Sequence, residues 1–256
     1  MTGALRMVQR NAMVYRHAWR GSACMSFLQP TLFLLAMGSG VGSLMTAGAA
    51  TAIGGISYLH FLAPGLLAAA CMQTATFESS FPVTAKMTWN RNYSAITATP
   101  MSVFDVVVGE VAWIGARQFL IATAFAAVTL AFGVPQSWIA LLAIPAGVLT
   151  GVAFSAVIMG YAATLKSGGD FSVVFRFVIT PLFLFSGVFF PVAQFPEPLR
   201  SIAWFTPLFH GVELVRGFML GTIHTPIWIV HVAYLLVMLC IGIAVSLRTF
   251  GKKLRA

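Results

Sequence analysis

The chain has 256 residues, 59% of them hydrophobic and only 8% charged, where a water-soluble domain carries about 25% charged residues. So few charges exclude a water-covered surface, and the length predicts one membrane domain, residues 1–256, with no room for a soluble catalytic domain. The formal net charge of +9 does not point to nucleic acid, because the basic residues flank apolar segments instead of forming a separate patch, as suits an anionic lipid surface.

In chain order, residues 1–21 predict an amphipathic interfacial helix. Leu5, Val8, Ala12, Tyr15 and Trp19 share one helical face, and Arg6, Arg10, His17 and Arg20 the opposite one. Such a helix is expected along the cytoplasmic interface, its basic side on anionic headgroups. Ala47-Gly48-Ala49-Ala50 mimics a signal-peptide cleavage site, but the preceding apolar run Ser22–Met45 is 24 residues long. That exceeds the roughly 7–15 of a signal peptide and predicts a retained span.

Apolar runs of about 20 residues predict six spans: Ser22–Met45, Ile56–Phe77, Val103–Phe132, Ser137–Leu165, Phe171–Phe190 and Ile227–Leu247. The third and fourth are long enough to protrude or tilt. Pro30, Pro64, Pro145 and Pro181 are expected to kink their helices. Six spans put both termini on one side. With the termini in the cytoplasm, eleven basic residues lie inside against Arg200 and Arg216 outside, as the positive-inside rule requires. Trp138, Trp204 and Trp228 then sit near the outer interface, and Trp19 and Trp89 near the inner one.

The longest polar connection, 78–100, lies between the second and third spans. It is bounded by Pro82 and Pro100 and is long enough for a short helix. Trp89, Arg91 and Tyr93 are residue types enriched at protein interfaces, although composition alone favours an ordinary cytoplasmic loop with an interfacial tryptophan. Between the fifth and sixth spans, the stretch ending near 225 is too apolar for a free loop and too rich in proline for one spanning helix. Short re-entrant helices over 191–225, buried against protein, fit both facts. Glu213 and Arg216, three residues apart, are placed to pair there.

Ionisable groups inside a membrane are costly and mark function or pairing. Glu110 and Arg117 in the third span, and Arg176 in the fifth, are the candidates for a translocation path or helix interface. The odd set Cys24, Cys71 and Cys240 lies in apolar runs, which argues against a disulfide framework or a metal site. The five histidines show no metal-binding spacing, and His60 reads as a packing residue.

Ser186-Gly187-x-Phe189-x-Pro191, followed by Pro196, Leu199, Pro207-Leu208, Arg216 and Gly221, resembles the C-terminal signature of ABC-2 type permeases. Asn90-Arg91-Asn92-Tyr93, Thr99-Pro100, Asp105 and Gly109-Glu110 resemble that family's segment after the second span. Asn11, Tyr15-Arg16, Trp19-Arg20-Gly21 and Phe33-Leu34-Leu35-Ala36-Met37-Gly38 are similar to the nodulation-type lipo-oligosaccharide permeases and to actinobacterial drug-exporter permeases. The match runs in order along nearly the whole chain.

The resemblance implies an all-α bacterial inner-membrane permease that pairs with a second permease, identical or paralogous, above two separate ATPase subunits. It implies that 78–100 carries a coupling helix, with Trp89, Asn90, Arg91 and Tyr93 toward the ATPase, and that 191–225 forms extracellular re-entrant helices. An amphipathic cargo is implied, either a glycolipid, a lipid-linked saccharide or a hydrophobic drug, and Arg117 is a candidate to meet its phosphate or sugar. No Gly-x-x-x-x-Gly-Lys-Ser/Thr phosphate loop occurs in the chain, so ATP and magnesium are expected on the partner, with no cofactor or metal held here. An ion-coupled transporter would show mid-membrane acidic groups, often in two related halves. A membrane-embedded enzyme would show a clustered nucleophile, metal set or carboxylate pair. Here Asp105, Glu110, Asp170 and Glu213 are scattered, and no internal repeat is visible.

Overall fold

The computed structural model describes residues 3–17, 19–41, 55–165, 171–223 and 226–255, and every regular element among them is helical. The expected cleavage-like stretch 47–50, the end of the first span beyond 41, Lys166 and Asp170 lie outside the described residues. Helix α1 (Gly3–Tyr15) precedes α2 (Trp19–Leu34), which runs on into a π-helical turn, Leu35–Val41. Helix α3 (Tyr58–Ser79) starts at Ser57, whose hydroxyl accepts from His60 N–H. Then come α4 (Phe81–Thr84) with its π turn Ala85–Trp89, and α5 (Asn92–Thr97).

Helix α6 (Val103–Ala131) opens with a reciprocal cap between Ser102 and Asp105. A 3₁₀ turn, Trp138–Leu142, leads into α7 (Ala143–Ala162). Next are α8 (Phe171–Val174), the π turn Phe175–Ile179 and α9 (Thr180–Phe185). Helices α10 (Glu197–Trp204) and α11 (Pro207–Leu220) precede α12 (Ile227–Arg255). Pro145 and Pro181 sit where the helix changes pitch, from 3₁₀ to α and from π to α. A residue without an N–H is tolerated at such a junction.

Three described helices are long and apolar enough to cross a membrane: Val103–Ala131, Trp138–Ala162 and Ile227–Arg255. Helix α3 is the centre of the bundle, with 15 of its 22 residues buried. Helix α12 is the opposite case. Only His231, Leu235, Gly242, Ser246 and Phe250 are buried, one stripe along an otherwise exposed or half-buried helix. That stripe docks on α7 at close range, since a Cβ on Gly242 would meet the Ala156 Cβ at 2.8 Å. Ser246 Oγ donates to Ala156 O across the same seam, at 2.8 Å. Small residues and a hydroxyl are how helices associate where water gives no hydrophobic drive.

The expected fifth span, Phe171–Phe190, is corrected: the helix stops at Phe185. Ser186 ends it, and Gly187 turns the chain at φ +80°, a left-handed conformation that suits glycine. Helix α11 has 14 residues, 11 of them buried. At about 1.5 Å per residue it is too short to cross a bilayer core of about 30 Å. It packs against α3, α7 and α12.

Two cores result. The larger joins α3, α6, α7, α11 and α12. The smaller gathers Met7, Met87, Tyr93, Val106, Phe171 and Phe250, and so binds α1, the 78–100 connection and the end of α12 at one end of the bundle.

Candidate coupling and translocation sites

At that terminal end, the 78–100 connection is a folded hook. Helix α4 and its π turn lead to Arg91, whose left-handed backbone (φ 47°) starts α5 at a new angle. The bend leaves Trp89, Asn90 and Arg91 exposed, Trp89 by 67%. Tyr93 is a correction to the expected ATPase contact, for its side chain is fully buried. Its ring lies 5.5 Å from that of Phe250, and its hydroxyl donates to Glu110 Oε1 at 3.0 Å. Lys86 Nζ reaches the same oxygen at 2.7 Å. The buried Glu110 thus has both an ion pair and a hydrogen bond, the conditions for keeping a carboxylate out of water. Burial, and then the charge of Glu110, hold the Tyr93 phenol well above its usual pKa. It therefore remains a donor.

Arg117 and Glu110 do not meet each other; each takes a partner from the stretch 78–86. Arg117 Nη2 pairs with Glu78 Oε1 at 2.6 Å, and its guanidinium lies 4.3 Å from the Tyr15 ring centroid. Arg117 lines a groove of about 350 Å³ between α2, α3, α6 and α9, with polar Gln29, Gln73 and Thr74 among aromatic walls. It also lines a chamber of about 500 Å³ beneath α1. Arg176 is exposed and lines neither.

Helix α1 docks through a different face from the one its amphipathicity suggests. Met7 and Asn11 are the buried residues, while Leu5, Ala12 and Trp19 are exposed. Ala4 N–H donates to Asp105 Oδ1 at 3.1 Å, and a Cβ on Gly109 would come within 2.6 Å of the Met7 Cβ. Leu5 and Ala12 of the apolar face and Arg6 of the basic one stay exposed. Asn11, Tyr15, Glu78 and Lys86 were not placed in a candidate site by the sequence reading, which used Tyr15 only for the apolar face of the N-terminal helix and Asn11 and Tyr15 for the family resemblance. The signal available for them was the small residues Gly3, Ala4 and Gly109, which permit close helix approach.

At the far end, Arg216 ties three segments together. It pairs with Glu213 at 2.9 Å, donates to Gly187 O at 2.7 Å and to Phe61 O at 3.3 Å, and its guanidinium lies 4.0 Å from the Phe61 ring centroid. Ser186 and Thr206 hydroxyls meet at 3.0 Å, Pro191 precedes a short 3₁₀ turn, and Pro207 opens α11. His210 and His231, which the sequence reading did not single out as a pair, join α11 to α12 through Nδ1 atoms 2.7 Å apart.

Apolar helices of spanning length, a folded hook at the terminal end and short buried helices at the far end define a helical membrane protein. The family model for the ABC-2 type transporter matches residues 3–220. Nodulation protein J of Rhizobium leguminosarum bv. trifolii is 35% identical over 80% of this chain and 78% of its own length. Nodulation protein J of Azorhizobium caulinodans is 26% identical over 91% of both. The inner membrane transport permease YadH of Escherichia coli K12 is 29% identical over 75% of this chain and 71% of its own. The chain belongs to the ABC-2 type transporter family.

Proposed function

We propose that this chain is the membrane permease of an ATP-driven exporter of an amphipathic substrate, working with a separate ATPase and a second permease. Six spans place both termini in the cytoplasm of a bacterial inner membrane, and α10 and α11 form the outer re-entrant element. ATP and magnesium bind the partner. The observation that carries this reading is the hook: Trp89, Asn90 and Arg91 are exposed at its tip, while Lys86 and Tyr93 fasten it to Glu110 of α6 and Tyr93 packs on Phe250 of α12. A push at the tip therefore reaches two long helices directly, and coupling needs such a contiguous two-element contact.

ATP-driven closure of the ATPases would move the hook, shift α6 and α12, and open a path toward the outer re-entrant element. The groove holding Arg117, Gln29, Gln73 and Thr74 offers the amphipathic lining that such a cargo needs. The test is Arg91→Glu in the reconstituted permease–ATPase complex. Reversing the exposed charge lowers substrate-stimulated ATP hydrolysis with basal assembly retained; an unchanged stimulated rate removes the hook tip from coupling.

A further inference from the structure

The chamber beneath α1 holds a polar imbalance that the ion pairs around it do not absorb. Its walls come from α1, the 78–92 stretch and α6. Glu110 Oε1 takes Lys86 and Tyr93, Glu78 Oε1 takes Arg117, and Asn11 Oδ1 accepts from Arg10 Nη1 at 3.3 Å. Two buried atoms of the chamber's lining are left without a hydrogen-bond partner among the described residues: Asn11 Nδ2, a donor, and Glu78 Oε2, an acceptor. Asn11 is only 5% exposed. A buried polar group without a partner is destabilising, so a ligand that satisfies both gains specifically there.

The required chemistry follows from the pair. A phosphodiester would satisfy Asn11 but would set its own negative oxygens against the Glu78 carboxylate, while the cations of the lining are already engaged, Lys86 by Glu110, Arg117 by Glu78 and Arg10 by Asn11 Oδ1. A hydroxyl serves both, donating to Glu78 Oε2 and accepting from Asn11 Nδ2. The Tyr15 and Trp113 rings, packed edge to face at 5.7 Å, add an aromatic wall on which the C–H face of a polyol can rest. The volume of about 500 Å³ falls within the size of small-molecule sites. Arg117 lines this chamber and the adjoining groove alike, and the groove's walls include Phe33, Leu66, Ile121, Phe125 and Phe183. The groove also carries Gln29, Gln73 and Thr74, so both sites mix polar groups with apolar walls, and Arg117 borders both.

We infer that the chamber beneath α1 binds the uncharged, hydroxyl-bearing headgroup of an amphipathic molecule, with Asn11 and Glu78 as its ligands and its tail in the groove beyond Arg117. That this molecule is the exported cargo rests on the exporter reading above; the site itself does not.

The experiment is native mass spectrometry of the purified permease with monoglucosyl diacylglycerol, phosphatidylglycerol or phosphatidylcholine of equal chain length. The wild type retains the glucosyl lipid preferentially. Asn11→Asp and Glu78→Gln, near-isosteric exchanges that keep the side-chain shape, each reduce retention about tenfold, the effect of one lost hydrogen bond to a charged or buried partner. The double variant restores one donor and one acceptor in exchanged places, and recovers most of the retention because a hydroxyl can serve either order. A merely structural role would show loss and rescue in the melting temperature as well, because the carboxylate brought in by Asn11→Asp can pair with the arginines of the chamber, whereas a ligand role shows them in retention with the melting temperature unchanged. Thermal unfolding of each variant is followed alongside; if a single variant fails to fold, the double variant against wild type still decides. Equal retention in wild type and folded variants, a double variant no better than the singles, or a preference for phosphatidylglycerol overturns the site. Binding is measured without any ATPase. Retained glucosyl lipid that is not transported when ATP and the ATPase are supplied overturns the cargo reading and leaves the site standing.

Discussion

Arg91 is the one non-glycine residue among those described with a left-handed backbone. An L-residue in that region is strained by about 1 kcal/mol, and here the strain sits at the corner of the hook, between the π turn and α5. Glycine adopts the same conformation freely but is looser when unfolded. Arg91→Gly is therefore expected to leave the melting temperature unchanged or raise it by about 2 °C, while stimulated ATP hydrolysis falls as it does in Arg91→Glu. Melting and hydrolysis falling together would make Arg91 a structural residue only. Composition picked out Trp89, Arg91 and Tyr93 equally, because residue type carries no direction. Tyr93 turns inward for a reason that lies 17 residues later in the chain, at Glu110. Glu110 and Arg117 lie two turns apart on similar faces of one helix, yet their partners, Lys86 and Glu78, come from another segment, which helical periodicity does not see.

At the scale of elements, uniform apolarity made the helices of the third, fourth and sixth spans legible. The fifth was overextended because Phe189 and Phe190 are apolar although the chain has already turned at Gly187. The helical pattern of α1 was also legible, but its docking face was not. Amphipathicity reports the boundary between water and lipid, whereas Met7 and Asn11 form a narrow contact with another helix. That contact depends on Gly109. A Cβ there would meet Met7 Cβ at 2.6 Å and the backbone oxygen of Ala4 at 3.0 Å, so the helix itself must give way. Overpacking of this kind costs about 1–3 kcal/mol. Gly109→Val should release α1 from α6 with the bundle intact, read as faster maleimide labelling of Met7→Cys in a background whose other cysteines are replaced. Labelling at the same slow rate would show that α1 is held by other contacts.

Across the whole molecule, both chain termini meet at one end, where α1, the hook and the end of α12 share a core. Basic residues concentrate at that end, among them Lys252, Lys253 and Arg255 in the last turn of α12, and Lys253 also reaches back to Leu165 O at 3.0 Å. This arrangement suits a cytoplasmic platform on which an ATPase pushes, with Arg216 bracing the opposite end against α3. Composition disclosed the membrane class directly; the platform required the fold, because its members are separated by most of the chain. The central claim is that a nucleotide-hydrolysing companion sits against the exposed tip of the hook. A photoreactive phenylalanine analogue placed at Trp89 in the native membrane measures this. The account predicts a cross-link, dependent on illumination, to a polypeptide that carries a phosphate-binding loop and binds ATP. Cross-linking to lipid alone, with the cargo still transported in the absence of ATP, would contradict it.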